Sequence, residues 1–243
     1  MGGGLLQLVA YGAQDVYLTG NPQITFFKVV YRRHTNFSLE SIQQTFNGNA
    51  ILGNRVTCQI SRNGDLVHKL YLQIKATISN AIYLQPFYGY RMIKHTELEI
   101  GGQRIDKQYS EWMYIWNELT MDQGKKEGYY EMVGGNSENK SVKLENETID
   151  LYIPLEFWFC RNVGLALPLI ALQYHEVKVN IEFNSMDSIR ATNEDDELAT
   201  TGNVQASQAD FESFSATLWA DYIFLDTDER KRFAQLSHEY LIE

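Results

Sequence analysis

The sequence has 243 residues, of which 44% are apolar and 21% charged, and its formal charge at pH 7 is -10. This length and composition supply a hydrophobic core for one large domain or two small ones, and they exclude a disordered or low-complexity chain. A protein that coats nucleic acid needs a basic footprint, and the sequence has no block of Lys and Arg. We therefore expect no direct contact with nucleic acid.

The cysteines and the N-terminus bear on the cellular compartment. Cys58 and Cys160 lie far apart and in no metal-ligand spacing, so we expect two free thiols in a reducing compartment. Residues 1–11 have no basic segment and only a short apolar one, which does not predict a secretory signal. No stretch reaches the roughly 18 apolar residues of a membrane helix. These features predict a chain that stays in the cytosol.

Alternation of apolar and polar residues with a period of two is the dominant pattern. Such alternation gathers one set of side chains on one face of a strand, whereas the 3.6-residue repeat of a helix would scatter the same set. In residues 66–78, for example, Leu70, Leu72 and Ile74 alternate with Tyr71, Gln73 and Lys75. Four strands are predicted on this ground, over residues 66–78, 149–159, 177–183 and 214–224.

Weaker patterns predict four more strands, over residues 37–46, 55–61, 96–100 and 103–108. Asn63 and Gly64 separate two of the alternating runs and predict a type I′ hairpin, whose two central residues need positive φ. Gly101 and Gly102 predict a second hairpin between the last two strands. The total is about eight strands.

One segment has helical periodicity. Residues 110–121 are predicted as a short helix with Ser110 as its N-cap. Its apolar residues at helical spacing are Trp112, Ile115, Trp116 and Leu119.

The remaining stretches are polar or ambiguous. Residues 123–146 and 185–212 are predicted as loops, and loops of such length are usually functional or mobile. Residues 24–33 fit a helix or a strand equally well. Together the elements predict an all-β fold, an antiparallel two-sheet sandwich of about eight strands with a short helix and long loops.

No catalytic or metal-binding constellation is recognisable. The histidines, which form no paired metal motif, are His34, His68, His95, His175 and His238. We interpret His68 as a packing residue on the inward face of its strand. The acidic residues 194–197 lack the alternating oxygens and the glycine turn of a calcium loop, and the glycines at 101 and 102 lack the spacing of a phosphate loop. We expect neither enzymatic activity nor a cofactor.

Two further features keep alternative interpretations open. The apolar run at residues 164–172 stands where a polar turn is expected. It is either a connection tucked under the sandwich or a sticky surface that a neighbouring subunit completes. Glycosylation sequons begin at Asn36, Asn139 and Asn146, and Asn139 and Asn146 are the plausible acceptors because their segment should be exposed.

Five segments closely resemble the major capsid proteins of nucleocytoplasmic large DNA viruses, in the order found in that family. They are residues 4–28 (GLLQLVAYGAQDVYLTGNPQITFFK), 60–65 (ISRNGD), 97–106 (ELEIGGQRID), 164–176 (GLALPLIALQYHE) and 221–226 (DYIFLD).

The resemblance implies a structural protein with a double jelly-roll fold. In that family the first roll has eight strands, and three subunits form a pseudo-hexagonal capsomer. Capsomers contact one another and minor capsid proteins in an icosahedral shell above an internal membrane. By this resemblance the chain belongs in the virion capsid, after assembly in the host cytoplasm.

The resemblance also implies a domain organisation. We expect an N-terminal arm at residues 1–36, the first jelly roll at 37–226, and the start of a linker at 227–243. Family members are much longer, and residues 237–243 resemble the junction that leads into a second jelly roll, which this sequence does not contain.

A rival hypothesis is a carbohydrate-binding or receptor-binding jelly-roll module of the virion. Exposed aromatic rings stack on sugars. Tyr129 and Tyr130 are the candidate residues for this role.

Overall fold

The computed structural model describes residues 35–79, 81–138, 140–191 and 211–242. The ambiguous segment 24–33, the acidic residues 194–197, His34 and the sequon residue Asn139 lie outside them. The strands, in chain order, are β1 (Phe37–Gln44), β2 (Phe46–Asn47), β3 (Arg55–Gln59), β4 (Leu66–Ile78), β5 (Ile82–Leu84), β6 (Ile93–Ile100), β7 (Gln103–Tyr109), β8 (Val142–Leu144), β9 (Glu147–Pro154), β10 (Leu167–Pro168), β11 (Val177–Phe183) and β12 (Phe211–Leu225).

Five α-helices accompany the strands in the described ranges. They are α1 (Tyr88–Met92), α2 (Ser110–Thr120), α3 (Gln123–Val133), α4 (Trp158–Arg161) and α5 (Thr227–Gln235). Single 3₁₀ turns lie at Val163–Leu165 and Met186–Ser188.

Two antiparallel sheets hold the principal strands. The first has the order β1-β12-β4, and β4 also pairs with β9 and, at its start, with β10. The second has the order β2-β3-β11-β6-β7, and β5 and β8 form a small separate ribbon. Eight principal strands are therefore shared between the sheets as β1, β12, β4, β9 and β3, β11, β6, β7. This is the two-sheet arrangement of a jelly roll, and the predicted all-β class and count of eight are confirmed.

The core lies between the sheets, where the alternating side chains meet. Leu72, Ile74 and Ile78 of β4 and Val179 and Ile181 of β11 are all fully buried members of one cluster. Their period-two spacing is the reason that these segments fold as strands, because only a pleated chain places the whole set on one face.

The two predicted hairpins have opposite outcomes. Gly101 and Gly102 have φ values of 59° and 83° and connect β6 to its partner β7, as predicted. The prediction of a hairpin at Asn63 and Gly64 is wrong, because β3 and β4 lie in different sheets. Neither residue is among the described residues with positive φ. Gly64 is needed for close packing instead, since a Cβ there would lie 2.8 Å from the Cβ of the buried Tyr222.

Two other predictions are corrected. The strand predicted at 149–159 ends at Pro154, and the chain turns into α4. Phe157 and Phe159 are nevertheless buried. Because both are apolar and lie two residues apart, they continue the alternation in the sequence on which the prediction relied. The first predicted loop, 123–146, contains α3 and β8. Helix α3 buries only Tyr129 and Val133, which leaves little apolar periodicity to detect.

The second predicted loop and the chain end also contain regular structure. A 3₁₀ turn lies near the start of the 185–212 segment, and β12 begins at Phe211. The expected linker segment begins with helix α5, whose first N–H is capped by the side chain of Asp226. Phe233 of this helix packs on Leu66 and Ile223 of the first sheet.

A carboxylate at the start of β4 fixes α5 to the roll. Asp65 is 8% exposed, and its oxygens accept hydrogen bonds from the backbone N–H of Leu225 at 2.8 Å. They also accept from Nε and Nη2 of Arg230, at 2.9 and 3.1 Å. Because a buried carboxylate must be paired, these bonds determine where the chain leaves β12.

Candidate assembly surfaces

Helix α2 is amphipathic in the reverse sense from the usual core-facing helix. Its buried residues are Ser110, Met113 and Asn117. The amide of Asn117 donates to the hydroxyl of Tyr90 at 2.9 Å and to the carbonyl of Met113 at 2.8 Å. The inner face thus combines one apolar residue, Met113, with polar groups that are satisfied, and most of the apolar residues are left on the outer face.

The outer face of α2 carries what we call the helix stripe, namely Trp112, Ile115, Trp116 and Leu119. Trp112, Ile115 and Leu119 are 39%, 47% and 77% exposed. The rings of Trp112 and Trp116 lie 5.8 Å apart, and the guanidinium of Arg161 lies 4.1 Å above the Trp116 ring. The sequence located this apolar spacing correctly, but it did not reveal which way the face points.

A second exposed apolar group lies on β1, at the edge of the first sheet. Phe37 and Leu39 are 66% and 62% exposed, and we call them the edge patch. They pair with Leu225 and Ile223 of β12, so they share the outer face of this sheet. Sequence reasoning missed this patch because the segment is rich in Ser and Gln, although the alternation of Phe37 and Leu39 with polar neighbours was a usable signal.

The outer face of the second sheet is charged. The buried Glu97 lies 2.6 Å from Arg55, 3.3 Å from Arg104 and 3.4 Å from Lys107. Burial alone would raise the pKa of Glu97, but Arg55 and Lys107 outweigh it and hold that pKa below its usual value. Burial, assisted by Lys107, lowers the pKa of the adjacent His95. The cluster links three strands (β3, β6 and β7) through one carboxylate.

The segment between β10 and β11 is held rigidly. Arg62 donates to the carbonyl oxygens of Leu172 at 2.6 Å and His175 at 3.0 Å, and also to that of Gln173. Tyr174, which this clamp supports, is 94% exposed. Sequence reasoning gave Arg62 no role of its own and missed its role as a clamp.

The apolar run at 164–172 divides between the two interpretations. Ala166, Leu167 and Leu169 are buried, as a tucked connection requires. Val163, just before the run, and Leu165 near its start are 62% and 38% exposed. The centre of the run, residues 166–169, is therefore core, whereas its entry and Ala171 near its end lie at the surface.

His68, which the sequence places on the inward face of its strand, is engaged in a structural contact. His68 makes a 2.9 Å hydrogen bond through Nδ1 to the carbonyl of Phe159, in accord with a packing role. Within the described residues, no group of three His, Cys, Asp or Glu side chains is arranged to hold a metal ion. No helix in the same part of the chain is long and apolar enough to cross a membrane.

The two tyrosines proposed for sugar stacking do not present free rings. Tyr129 is 8% exposed, and its hydroxyl bonds to that of Tyr90. The ring of Tyr130 packs edge-on against Phe87, and its hydroxyl donates to Glu118 at 2.6 Å, which raises the pKa of Tyr130 to about 12. Their assignment to a carbohydrate site is therefore wrong.

Both thiols are free and buried. Burial raises the pKa of Cys58 to about 12 and also raises the pKa of Cys160. Because the thiolate is the reactive form, iodoacetamide at pH 8 should leave both cysteines of the folded chain unmodified and should alkylate both in guanidinium chloride. Intact mass reports the result, and stoichiometric alkylation of the folded chain would contradict it.

Residues 25–226 match the family model described as the major capsid protein N-terminus. The chain belongs to this family. It is 58% identical over 248 residues to the major capsid protein of Pyramimonas orientalis virus, covering 100% of this chain and 58% of that protein. It is 48% identical over 243 residues to the major capsid protein of Paramecium bursaria Chlorella virus 1, covering 100% and 52%.

Solved capsid structures share the fold of this family member. VP54 of PBCV-1, in a crystal structure fitted into a cryo-EM reconstruction of the virophage Sputnik, superposes with a TM-score of 0.74 at 43% identity. The alignment covers 90% of this chain and 49% of VP54. A quasi-atomic model of the PBCV-1 virus capsid gives a TM-score of 0.73 at 42% identity, with the same coverage. The chain spans about half the length of the curated relatives it matches.

Proposed function

We propose that this chain is the first jelly roll of a viral major capsid protein, a structural subunit that associates with copies of itself in an icosahedral shell and does not act as an enzyme. The observation that carries the proposal is the 58% identity, across the whole chain, to a protein named a major capsid protein. The jelly-roll topology and the likeness to VP54 support it.

The finer organisation is also a proposal. Residues 1–36 act as an arm, 37–226 form the roll, and 227–243 lead toward a second roll. Three such subunits form a capsomer, which contacts neighbouring capsomers and minor capsid proteins above an internal membrane, after assembly in the host cytoplasm. The helix stripe and the edge patch support self-association, because exposed apolar groups of this kind mark interaction sites. The formal charge of -10 is unfavourable for direct binding of nucleic acid.

Asn146 is the proposed glycan acceptor of the described residues. It is exposed in the turn between β8 and β9 and has a φ of 52°. Asparagine tolerates this left-handed conformation better than most residues.

Purified virus particles test the proposed function. Peptide mapping by mass spectrometry should find peptides from residues 37–242 among the most abundant of the particle, and cryo-EM density should accept the roll at each capsomer position. A peptide containing Asn146 should carry added glycan mass. Particles in which this chain occurs only in traces, or a shell density that the roll does not fit, would exclude the capsid role.

A further inference from the structure

We propose that His95 is an acid-sensitive switch, because protonation of its buried ring in mildly acidic solution loosens the edge strand β7 from the roll. His95 lies on β6, opposite Glu182 of β11 and Tyr109 of β7. It belongs to the charged outer face of the second sheet, yet only 6% of it is exposed. The inference concerns the stability of the roll and does not depend on the proposed capsid function.

The hydrogen bonding of the ring favours its neutral form. Nδ1 of His95 is buried and has no hydrogen-bond partner among the described residues. Nε2 lies 3.7 Å from Oε1 of Glu97 and 3.6 Å from Oε2 of Glu182, which is longer than a hydrogen bond. A protonated imidazole donates from both nitrogens, so the N–H at Nδ1 would be buried without an acceptor. A neutral ring leaves only a lone pair unsatisfied, whereas an unpaired buried charge costs far more.

The cluster around the ring already has a surplus of positive charge. Its two carboxylates belong to Glu97 and Glu182. The cationic groups that form ion pairs with these two carboxylates are those of Arg55, Arg104, Lys107 and Lys94. A protonated His95 would therefore be a fifth cation beside two carboxylates. Burial, and after it Lys107, holds the pKa of His95 below its usual value, although Glu182 and Glu97 act in the opposite direction.

The charged residues of the two helices beside β6 have other partners. Arg91 of α1 donates through Nε to the carbonyl of Pro86 at 3.0 Å. Glu111 of α2 accepts a hydrogen bond from Ser110 at 3.4 Å. Neither forms an ion pair with His95 in the described ranges, so neither compensates a charge on the ring.

Protonation acts on β7 through Glu97. This carboxylate holds Arg104 and Lys107 of β7, at 3.3 and 3.4 Å, and a charged His95 ring would compete with them for its oxygens. In the described part of the chain β7 is the edge strand of its sheet and pairs with β6 alone. Loss of the two ion pairs therefore leaves β7 with fewer contacts than any strand in the middle of the sheet, and it should be the first to loosen.

The direction of the pH effect follows from the lowered pKa of His95. As the pH falls below the ordinary value of 6.5, the unfolded chain takes up this proton before the folded chain does. The stability that the neutral ring contributes is therefore present above that pH and is lost as the pH falls toward the pKa of the folded chain. Glu97 and Glu182 have pKa values below their usual 4.5, so they lose their charge only in stronger acid.

The variant His95→Gln, made in the 243-residue chain, removes the titrating group and keeps a polar side chain. Urea unfolding is compared at pH 7 and pH 5.5. The unfolding equilibrium constant of the unmodified chain should rise more steeply with acid than that of the variant, by up to about tenfold per pH unit for one proton. His175→Gln is the matched control, because it removes an exposed histidine, and it should keep the pH dependence of the unmodified chain.

Two measurements on the unmodified chain locate the effect and stand even if His95→Gln does not fold. An NMR titration of the imidazole nitrogens should find that His95 takes up its proton below pH 6.5. Amide hydrogen exchange should show that protection of Gln103–Tyr109 falls between pH 7 and pH 5.5 by a larger factor than protection of β11. Protonation of His95 at or above pH 6.5, an unchanged protection of β7, or a folded glutamine variant with the full pH dependence would each overturn the inference.

Discussion

Gly134→Ala should lower the free energy of unfolding by about 3 kcal/mol. Gly134 ends helix α3 with φ 72° and ψ 35°, a left-handed conformation that costs a residue with a Cβ roughly 1–2 kcal/mol. A Cβ there would lie 2.4 Å from Cζ of Tyr88, whose ring is buried and cannot move aside without disturbing the core. Overpacking of this kind costs about 1–3 kcal/mol more. Urea unfolding monitored by tryptophan fluorescence measures the loss.

Gly128→Ala, in the same helix, is the matched control and should have the opposite effect. No atom lies within 4 Å of the position that its Cβ would take. Alanine is therefore free to supply its better helix propensity, worth about 0.5–1 kcal/mol of added stability. Equal destabilisation of both variants would contradict the prediction, because it would show that the close contact with Tyr88 at Gly134 is not the cause of the loss.

Asp65→Ala should destabilise the roll by about 2–3 kcal/mol and loosen α5. The substitution leaves the N–H of Leu225 without its acceptor, which costs about 1–3 kcal/mol for a buried group. It also removes the two-bond pairing with Arg230. That pairing is worth less than a fully buried ion pair because the Arg230 side chain is 49% exposed to solvent.

Two measurements separate these effects. Urea unfolding gives the overall loss of stability, and limited proteolysis reports the release of α5, since cleavage within Thr227–Gln235 should become faster. Asp228→Ala is the matched control, because this aspartate is an exposed residue on the same helix. It should change stability by less than about 0.5 kcal/mol. An Asp65 variant with the stability and the proteolysis rate of the unmodified chain would show that the bonds of Asp65 to Leu225 and Arg230 do not hold the helix.

The sequence predicted best those elements whose signal repeats along the chain. The alternation in β4, β11 and β12 located three central strands nearly to the residue, because burial on one face imposes a period of two. The type I′ turn at Gly101 and Gly102 was equally readable, because its residues need positive φ whatever surrounds them. The segments that resemble large-virus capsid proteins pointed to the family that the match over residues 25–226 then established.

The errors occur where a local pattern has two possible tertiary causes. Asn63 and Gly64 carry a hairpin signal, yet the chain there crosses between sheets, and Gly64 is required by the ring of Tyr222 that packs on it. Phe157 and Phe159 extend the alternation of β9 even though the strand ends at Pro154, and they are buried just before and within helix α4. Helix α3 had almost no periodic signal, because its two glycines and few buried residues leave little amphipathic contrast.

The candidate surfaces show the same division between local and tertiary information. By itself the sequence predicted a helix at residues 110–121, observed at Ser110–Thr120, with a tryptophan-bearing apolar stripe, because side chains three and four apart share a helix face. Only the tertiary structure decided that this stripe points outward. Orientation depends on which face of α2 finds partners, and the hydrogen bond of Asn117 to Tyr90 together with the burial of Met113 turns this face toward the roll. No local pattern records a contact between residues 27 positions apart.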